Sequence, residues 1–223
     1  MRCINTDTAW SAAEMVPARS SDQGPGGTPI PAEVLATFAN LLEEARAAGD
    51  REPTAMSLAT SDADGRLSAR IVLLKTFDAR GFVFYTNTRS RKGRALAAHP
   101  NAALLFHWKN LRDQVQVRLE GRVEPVSEPE ADAYFATRPR GSQLGAWASL
   151  QSEPLPDRTR FEARYARLER EYEGRDVPRP PHWSGYRLVP DAIEFWYGMA
   201  YRLHERHLHR LVDGVWTQML LYP

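Results

Sequence analysis

The fold class is predicted from residues 54–87, which read TAMSLATSDADGRLSARIVLLKTFDARGFVFYTN. Its apolar residues follow the two-residue period of β-strands or form short apolar runs. Two segments that end in glycine, DADG at 62–65 and DARG at 78–81, are typical of tight turns between strands. Strands joined by short turns pair antiparallel, so this stretch predicts consecutive hairpins and not a doubly wound parallel sheet.

The rest of the chain continues this pattern with helices between the strands. Further strands are predicted at 102–108, 115–126, 186–189, 193–196 and 215–221. Helices are predicted from Pro31 to about Gly49 and at 90–98, 128–137 and 157–172. We therefore expect an α+β fold, an antiparallel Greek-key-like barrel with flanking helices. Residues 1–30, rich in Gly, Pro and Ser, are expected to be a flexible leader, and 31–223 a single domain.

Composition excludes several function classes. Twenty-nine Lys and Arg against 28 Asp and Glu leave no bulk charge to attract nucleic acid or an anionic membrane. Cys3 is the only cysteine, so neither an internal disulfide nor a multi-cysteine metal site is predicted. No apolar run is long enough to span a bilayer and no signal-peptide pattern is recognised, which predicts a cytoplasmic protein. The chain has no phosphate-loop, dinucleotide-fingerprint or serine-hydrolase motif, and the spacing in HERHLH, 204–209, does not predict a metal site.

Three basic segments instead resemble phosphate sites. Arg70 and Lys75 bracket an apolar strand, where strand alternation predicts opposite faces unless a bulge intervenes. Arg91 and Lys92 follow Ser90, a candidate helix N-cap. The third segment combines a phenol, a guanidinium and a hydroxyl at the end of a helix and in the loop beyond it, at Tyr134, Arg138 and Ser142.

Each segment also has a plain structural interpretation, as strand-end cations reaching water, a solvated helix turn or a surface arginine. Aromatic residues at 194–197 stand beside Arg202, His204 and Arg206, although aromatic strands are usually core. Taken together, the segments favour a phosphorylated aromatic cofactor and a small phosphorylated substrate.

Seven ordered motifs resemble the pyridoxine/pyridoxamine 5′-phosphate oxidase family, which uses FMN to make pyridoxal 5′-phosphate. They are RIVLLK (70–75), FYTN with SRKG (84–87 and 90–93), QVRLEG (116–121), RPRGSQLGAW (138–147), QS (151–152), IEFW (193–196) and RLHER (202–206). The resemblance extends from about residue 53 to the C-terminus. One such motif would be weak evidence, whereas seven in family order are specific.

The resemblance implies an FMN-binding split β-barrel and a homodimer with FMN at the subunit interface. The implied cofactor residues are Arg70, Ile71, Val72, Lys75, Tyr85, Thr86, Arg91, Lys92, Gln114 or Gln116, Gln151, Ser152, Trp196 and Arg206. The implied substrate residues are Lys75, Tyr134, Arg138, Ser142, Arg202 and His204, of which Arg202 and His204 would lie over the pyridine ring as the catalytic pair.

The chain departs from the family pattern at several positions. Counting from Trp108 places the flavin glutamine at Gln114, whereas counting back from Gly121 places it at Gln116. We favour Gln116, because a loop absorbs an insertion more easily than a strand ladder does. Other departures are Ser184, Tyr197 and Glu205, and no family-type substrate lid is recognisable in residues 1–30.

The resemblance implies oxidation of pyridoxine or pyridoxamine 5′-phosphate at C4′, with O2 as final acceptor and H2O2 as product. One alternative is a related FMN oxidase acting on another aromatic, such as a phenazine precursor. Such an enzyme would not need Tyr134, Arg138 and Ser142 to bind a substrate phosphate. A second is a non-catalytic carrier of FMN or pyridoxal phosphate on the same barrel. The sequence leaves open which of the two B6 phosphates is preferred.

Overall fold

The structure is a computed structural model that describes residues 27–223. Within this range the chain forms five α-helices: α1 (Ala32–Ala47), α2 (Arg91–Ala98), α3 (Glu128–Thr137), α4 (Arg140–Ala148) and α5 (Arg158–Glu171). Its strands are β1 (Ala55–Ser61), β2 (Leu67–Leu73), β3 (Thr76–Asp78), β4 (Gly81–Asn87), β5 (Asn101–Trp108), β6 (Val115–Pro125), β7 (Trp183–Tyr197), β8 (Glu205–Val212) and β9 (Val215–Leu221). None of these helices is both long and apolar enough to cross a bilayer.

All strands join one antiparallel sheet in the order β2-β1-β5-β6-β7-β4-β3, and β8 and β9 extend from β7. The 15-residue strand β7 organises this sheet, because one edge pairs with β6 along most of its length while the other edge pairs with β4 in its first half and with β8 in its second half. The β6–β7 register shifts between Glu120 and Gly121, opposite Pro190. A side chain at Gly121 would lie 2.2 Å from the Val189 carbonyl oxygen, so glycine is needed where the strands bend.

Helix α1 covers the apolar face of the sheet. Its buried residues, Val34, Phe38, Leu41, Leu42 and Ala45, recur at helical spacing. The Phe38 ring meets Phe82 and Phe106 edge to face, with ring centroids 4.9 and 5.2 Å apart. This cluster leaves the opposite side of β2 and β4 available to α3 and α4.

The mixed fold and the antiparallel sheet confirm the predicted α+β class, and four details differ. Residues 140–148 form a helix where a loop was predicted, because Pro139 starts it despite the low helix propensity of Gly141 and Gly145. Strand β7 is continuous through Pro190, whereas two separate runs were predicted. Strands β3 and β8 were not predicted.

The domain also begins before Pro31. Ile30 is buried, and its N–H donates to the Ala79 carbonyl at 2.8 Å. Residues 1–26 of the predicted leader lie outside the described residues.

Candidate functional site

A cleft of about 640 Å³ opens between the ends of β2 and β4 and the helices α3 and α4. It brings together many of the predicted site residues: Ile71, Val72, Lys75, Tyr85, Thr86, Lys92, Tyr134, Arg138, Ser142 and Gln151. Residues that were not predicted, among them Asn87 and Trp183, also line it. Many of the predicted cofactor residues and the predicted substrate-phosphate residues thus meet in one place, although they come from five helices and strands and from the loops beside them.

Lys75 enters the cleft from just beyond β2. The strand ends at Leu73, and the Lys75 N–H donates to the Val83 carbonyl at 2.9 Å, so strand alternation does not govern its direction. Arg70 lies within β2, where its guanidinium donates to the Leu58 carbonyl at 3.1 Å and to Thr60 Oγ1 at 2.8 Å. The prediction of opposite faces for Arg70 and Lys75 assumed that the strand continues to Lys75, whereas it ends at Leu73.

Three cations form one corner of the site, which we call the cation corner: Arg70, Arg91 and Lys92. Burial, and then the charge of Arg91, lower the pKa of Arg70. Burial, and then the charge of Arg70, lower the pKa of Lys92 to about 8. No carboxylate within residues 27–223 forms an ion pair with these three groups, whereas nearby Arg94 pairs with Glu153 at 2.9 Å. The corner therefore carries uncompensated positive charge.

The N-terminus of α2 lies at this corner. Ser90 caps the helix by accepting from the Gly93 N–H at 3.3 Å, which confirms the predicted N-cap. The loop after α4 closes over this turn, since Lys92 Nζ donates to Gln151 Oε1 at 3.0 Å and the Arg91 N–H donates to Ser152 Oγ at 3.1 Å. A helix N-terminus beside three cations is an anion-binding arrangement.

An aromatic stack forms another wall of the cleft. The ring of Tyr85 lies nearly parallel to Tyr134 at 4.0 Å and to Trp183 at 5.2 Å. Burial, and then the neighbouring Glu130 charge, raise the pKa of Tyr85, so its phenol stays protonated at neutral pH. The stack packs α3 against β4 and β7.

Arg138 lies at the end of this wall. Its guanidinium lies 4.7 Å from the Trp183 ring centroid, and burial lowers its pKa. Its Nη1 is buried with no hydrogen-bond partner within the described range. A buried guanidinium nitrogen without an acceptor is costly, so an anionic ligand in the cleft would complete it.

The remaining predicted residues form a second group around the far end of β7. Gln116, Trp196 and Arg206 are directly cross-strand on β6, β7 and β8, which places them in one row on one face of the sheet. The His204 ring lies 4.5 Å from the Trp196 ring, and its Nδ1 accepts from the Met199 N–H at 3.1 Å. In the neutral imidazole this hydrogen bond puts the proton on Nε2.

Arg202 belongs to the same group, in a short 3₁₀ turn at Ala200–Arg202. Tyr201 and Arg202 both have positive φ, 55° and 63°, a conformation that side chains rarely adopt. Strained backbone of this kind is often found where a side chain must be aimed at a ligand.

Gln114 and Gln116 lie in different structural environments. Gln114 precedes β6, has φ 81°, and its side chain is within 3.1 Å of His107 Nε2. The two glutamines do not share one strand face, because β6 begins at Val115 and Gln114 precedes it. The β5–β6 ladder is regular from Trp108–Val115 onwards, so an insertion relative to the family pattern falls in the loop before β6.

Sequence reasoning missed Trp183 and Glu194 as parts of the site. Trp183 supports both Tyr85 and Arg138, and a tryptophan two residues before a strand glycine was its only signal. Glu194 is 4% exposed and accepts from Arg206 Nε at 2.7 Å while Arg118 approaches from β6 at 2.7 Å. A charged residue inside the apolar run IEFW was the signal for this buried carboxylate.

The cleft and the second group occupy opposite ends of β7. Trp183, in the cleft, is the first residue of the strand, and Trp196 stands next to its last residue. In the contacts described above, residues of the cleft and the cation corner contact one another, and residues of the second group contact one another.

Family comparisons cover most of the chain. Residues 41–171 match the family model described as pyridoxamine 5′-phosphate oxidase, and residues 183–223 match the model of the pyridoxine 5′-phosphate oxidase C-terminal dimerisation region. A pyridoxine/pyridoxamine 5′-phosphate oxidase of Myxococcus xanthus is 59% identical over 87% of this chain and 93% of its own length. One from Xanthomonas campestris is 57% identical over 88% of this chain and its whole length.

Two solved structures have a similar fold. PhzG from Burkholderia lata, in complex with tetrahydrophenazine-1-carboxylic acid, is 35% identical and superposes with a TM-score of 0.81 over 86% of this chain and 94% of its own. A pyridoxamine 5′-phosphate oxidase-related, FMN-binding protein from Nostoc punctiforme is 18% identical, with a TM-score of 0.69 over 87% of this chain and all of its own. The second match concerns the fold alone.

Proposed function

Because the chain belongs to the pyridoxamine 5′-phosphate oxidase family, we propose that it oxidises pyridoxine 5′-phosphate, pyridoxamine 5′-phosphate or both to pyridoxal 5′-phosphate, using FMN and O2 and releasing H2O2. The observation that carries the substrate assignment is the buried Nη1 of Arg138 in the cleft, which has no hydrogen-bond partner among residues 27–223. We place the reaction in the cytoplasm, as the sequence analysis predicts.

The cation corner fits the phosphate of FMN. Arg70, Arg91 and Lys92 supply charge that no carboxylate within residues 27–223 neutralises, and the positive end of the α2 helix dipole lies beside them. Gln151 and Ser152 tie the neighbouring loop to this turn. A bound FMN supplies the electron acceptor for the oxidation.

The substrate phosphate is assigned to the other end of the cleft. Lys75, Arg138 and Ser142 offer two cations and a hydroxyl, and Tyr134 adds a phenol. Arginine suits this position because its planar fork can hold two phosphate oxygens at once. The role of these residues is to bind and orient the substrate so that its C4′ faces the cofactor.

The complete site needs a second copy of the chain. Apart from Gln116, the second group, with Arg202 and His204, lies within residues 183–223, the part that matches a dimerisation region. We assign this group to the cleft of the partner protomer in a homodimer, with FMN between the two. In that arrangement Arg202 and the Nε2–H of His204 orient the substrate ring, while Trp196, Arg206 and Gln116 lie beside the cofactor.

Gln116 is preferred over Gln114 on the same geometry. Gln116 shares its cross-strand row with Trp196 and Arg206. Gln114 lies outside the strand, and its backbone carbonyl is occupied by the Gly198 N–H at 2.9 Å.

Steady-state turnover tests the proposal. Purified protein supplied with pyridoxine 5′-phosphate in air should form pyridoxal 5′-phosphate and H2O2 in equal amounts. A yellow protein that leaves both B6 phosphates unchanged would instead be a carrier. A protein that oxidises a reduced phenazine carboxylate and ignores the phosphates would be an oxidase of the kind suggested by the PhzG likeness.

A further inference from the structure

One face of α3 carries three residues spaced by four. Glu130, Tyr134 and Arg138 follow at i, i+4 and i+8, so they form a row along the helix and its C-cap. Tyr134 and Arg138 line the cleft, while Glu130 stands one turn away from it. The first turn of the helix is also capped, because Ser127 Oγ accepts from the Glu130 N–H at 3.3 Å.

Strand β7 carries a matching row. Trp183, Gly185 and Arg187 alternate onto one face, two residues apart. Arg138 lies on Trp183, and Arg187 Nη2 donates to Glu130 Oε1 at 3.1 Å. Between these two contacts, the missing side chain of Gly185 makes room for Tyr85, whose ring atoms would lie 2.7 Å from a Cβ there. Tyr85 in turn stacks on Tyr134.

Arg187 is well suited to fix this register. It is only 4% exposed, and its Nη1 donates to Asp78 Oδ1 at 3.1 Å. Asp78 is itself held by Arg80 through Nη2 at 2.7 Å. Burial would raise the pKa of Asp78, but its hydrogen bonds with Arg80 and the charge of Arg187 outweigh burial and lower it. The guanidinium is therefore anchored to the β3–β4 turn by a contact that does not involve α3.

We propose that the Arg187–Glu130 ion pair is a positioning device that sets the register of α3 on β7 and thereby places Tyr134 and Arg138 in the cleft. Neither residue touches the cleft itself. The proposal rests on the proposed function in so far as those two cleft residues hold the substrate phosphate. It adds a buried arginine and a helix carboxylate to the residues that determine substrate binding.

Glu130→Ala is the suitable variant, because Arg187 keeps Asp78 and the buried charge stays paired. We expect the KM for pyridoxine 5′-phosphate to rise by about tenfold with kcat within about twofold of wild type, the pattern of lost substrate binding. FMN content should be unchanged. Glu130→Gln keeps an acceptor oxygen for Arg187 and should recover most of the loss.

Asp132→Ala is the matched control. Asp132 is a carboxylate on the same helix that accepts from Arg179 Nε at 2.6 Å, and Arg179 keeps Glu128 when it is removed. This variant should retain the wild-type KM. An equal rise of KM in Asp132→Ala and Glu130→Ala would overturn the proposal, since any loosening of α3 would then suffice.

Near-ultraviolet circular dichroism gives a readout without turnover. The Tyr85–Tyr134–Trp183 stack should lose signal in Glu130→Ala and keep it in Asp132→Ala. If the wild type failed to oxidise either B6 phosphate, the proposed function would fail while this spectral comparison still tested the register. Unchanged KM together with an unchanged spectrum in Glu130→Ala would refute the positioning role.

Discussion

Lys92 Nζ lies 3.0 Å from Gln151 Oε1 and so joins the first turn of α2 to the loop that follows α4. The two residues are 59 positions apart in the chain. Their contact closes the cation corner on the side of the cleft. A ligand phosphate placed there would meet the lysine, the helix N-terminus and the loop together.

Removing two cations from this corner should weaken FMN binding. Charge-assisted contacts are worth about 1.5–3 kcal/mol each, so Arg91→Ala with Lys92→Ala should raise the Kd for FMN by at least about a hundredfold. Titration of flavin-free protein by fluorescence quenching measures the change. Arg94→Ala is the control, because that arginine on the same helix pairs with Glu153. Full flavin retention in the double variant would remove these residues from the site.

The affinity for FMN should fall as the pH rises above 8. The pKa of Lys92, lowered to about 8 by burial and by Arg70, leaves the lysine neutral in the flavin-free protein at higher pH. Binding a phosphate then requires proton uptake, which costs up to about tenfold in affinity per pH unit. Lys92→Arg stays charged and should show a flatter profile between pH 8 and 10. Parallel profiles for the two proteins would contradict this assignment.

Arg138 and His204 should affect different kinetic constants. Arg138→Ala removes binding to a phosphate remote from C4′, so KM for pyridoxine 5′-phosphate should rise while the flavin spectrum stays nearly intact. His204→Ala should act mainly on kcat, because small misplacements of the reacting carbon can cost on the order of 100-fold in rate. Steady-state kinetics of both variants measure kcat and KM separately. Wild-type constants in both would refute the substrate site even if FMN still bound.

Mixed dimers test whether the two ends of β7 serve different sites. A hybrid of Arg138→Ala and His204→Ala protomers has one site with both changes and one with neither. Random mixing should therefore restore about a quarter of the wild-type sites, although each parent is impaired. Co-expression with two different affinity tags provides the hybrid. No recovery, or a holoprotein that is monomeric at micromolar concentration, would contradict the shared site.

The sequence predicted the parts of the site better than their arrangement. Residues such as Lys92 and Arg138 were identifiable because cations beside a cap or a helix end have a local chemical reason to bind phosphate. Ser142 was assigned to a loop, since Gly141 and Gly145 mask the helix that carries it. The bend of β7 at Pro190 was likewise hidden, because a strand proline is tolerated only through pairing with Gly121 on a distant strand.

Long-range contacts account for the remaining differences. The cross-strand row of Gln116, Trp196 and Arg206 depends on the register of three strands, which no local pattern contains. The same holds for Glu130 and Arg187, 57 positions apart, whose pairing appears only after α3 lies on β7. Seven family motifs in order predicted the function without predicting these contacts.

Anaerobic mixing of the purified yellow protein with pyridoxine 5′-phosphate is the most direct test of the proposed oxidation. We expect the visible band of oxidised flavin to bleach as one equivalent of pyridoxal 5′-phosphate forms, and to return with H2O2 when air is admitted. Arg138→Ala should need a higher substrate concentration for the same bleaching. A flavin band that stays unchanged at saturating pyridoxine and pyridoxamine 5′-phosphates would contradict the proposed oxidase.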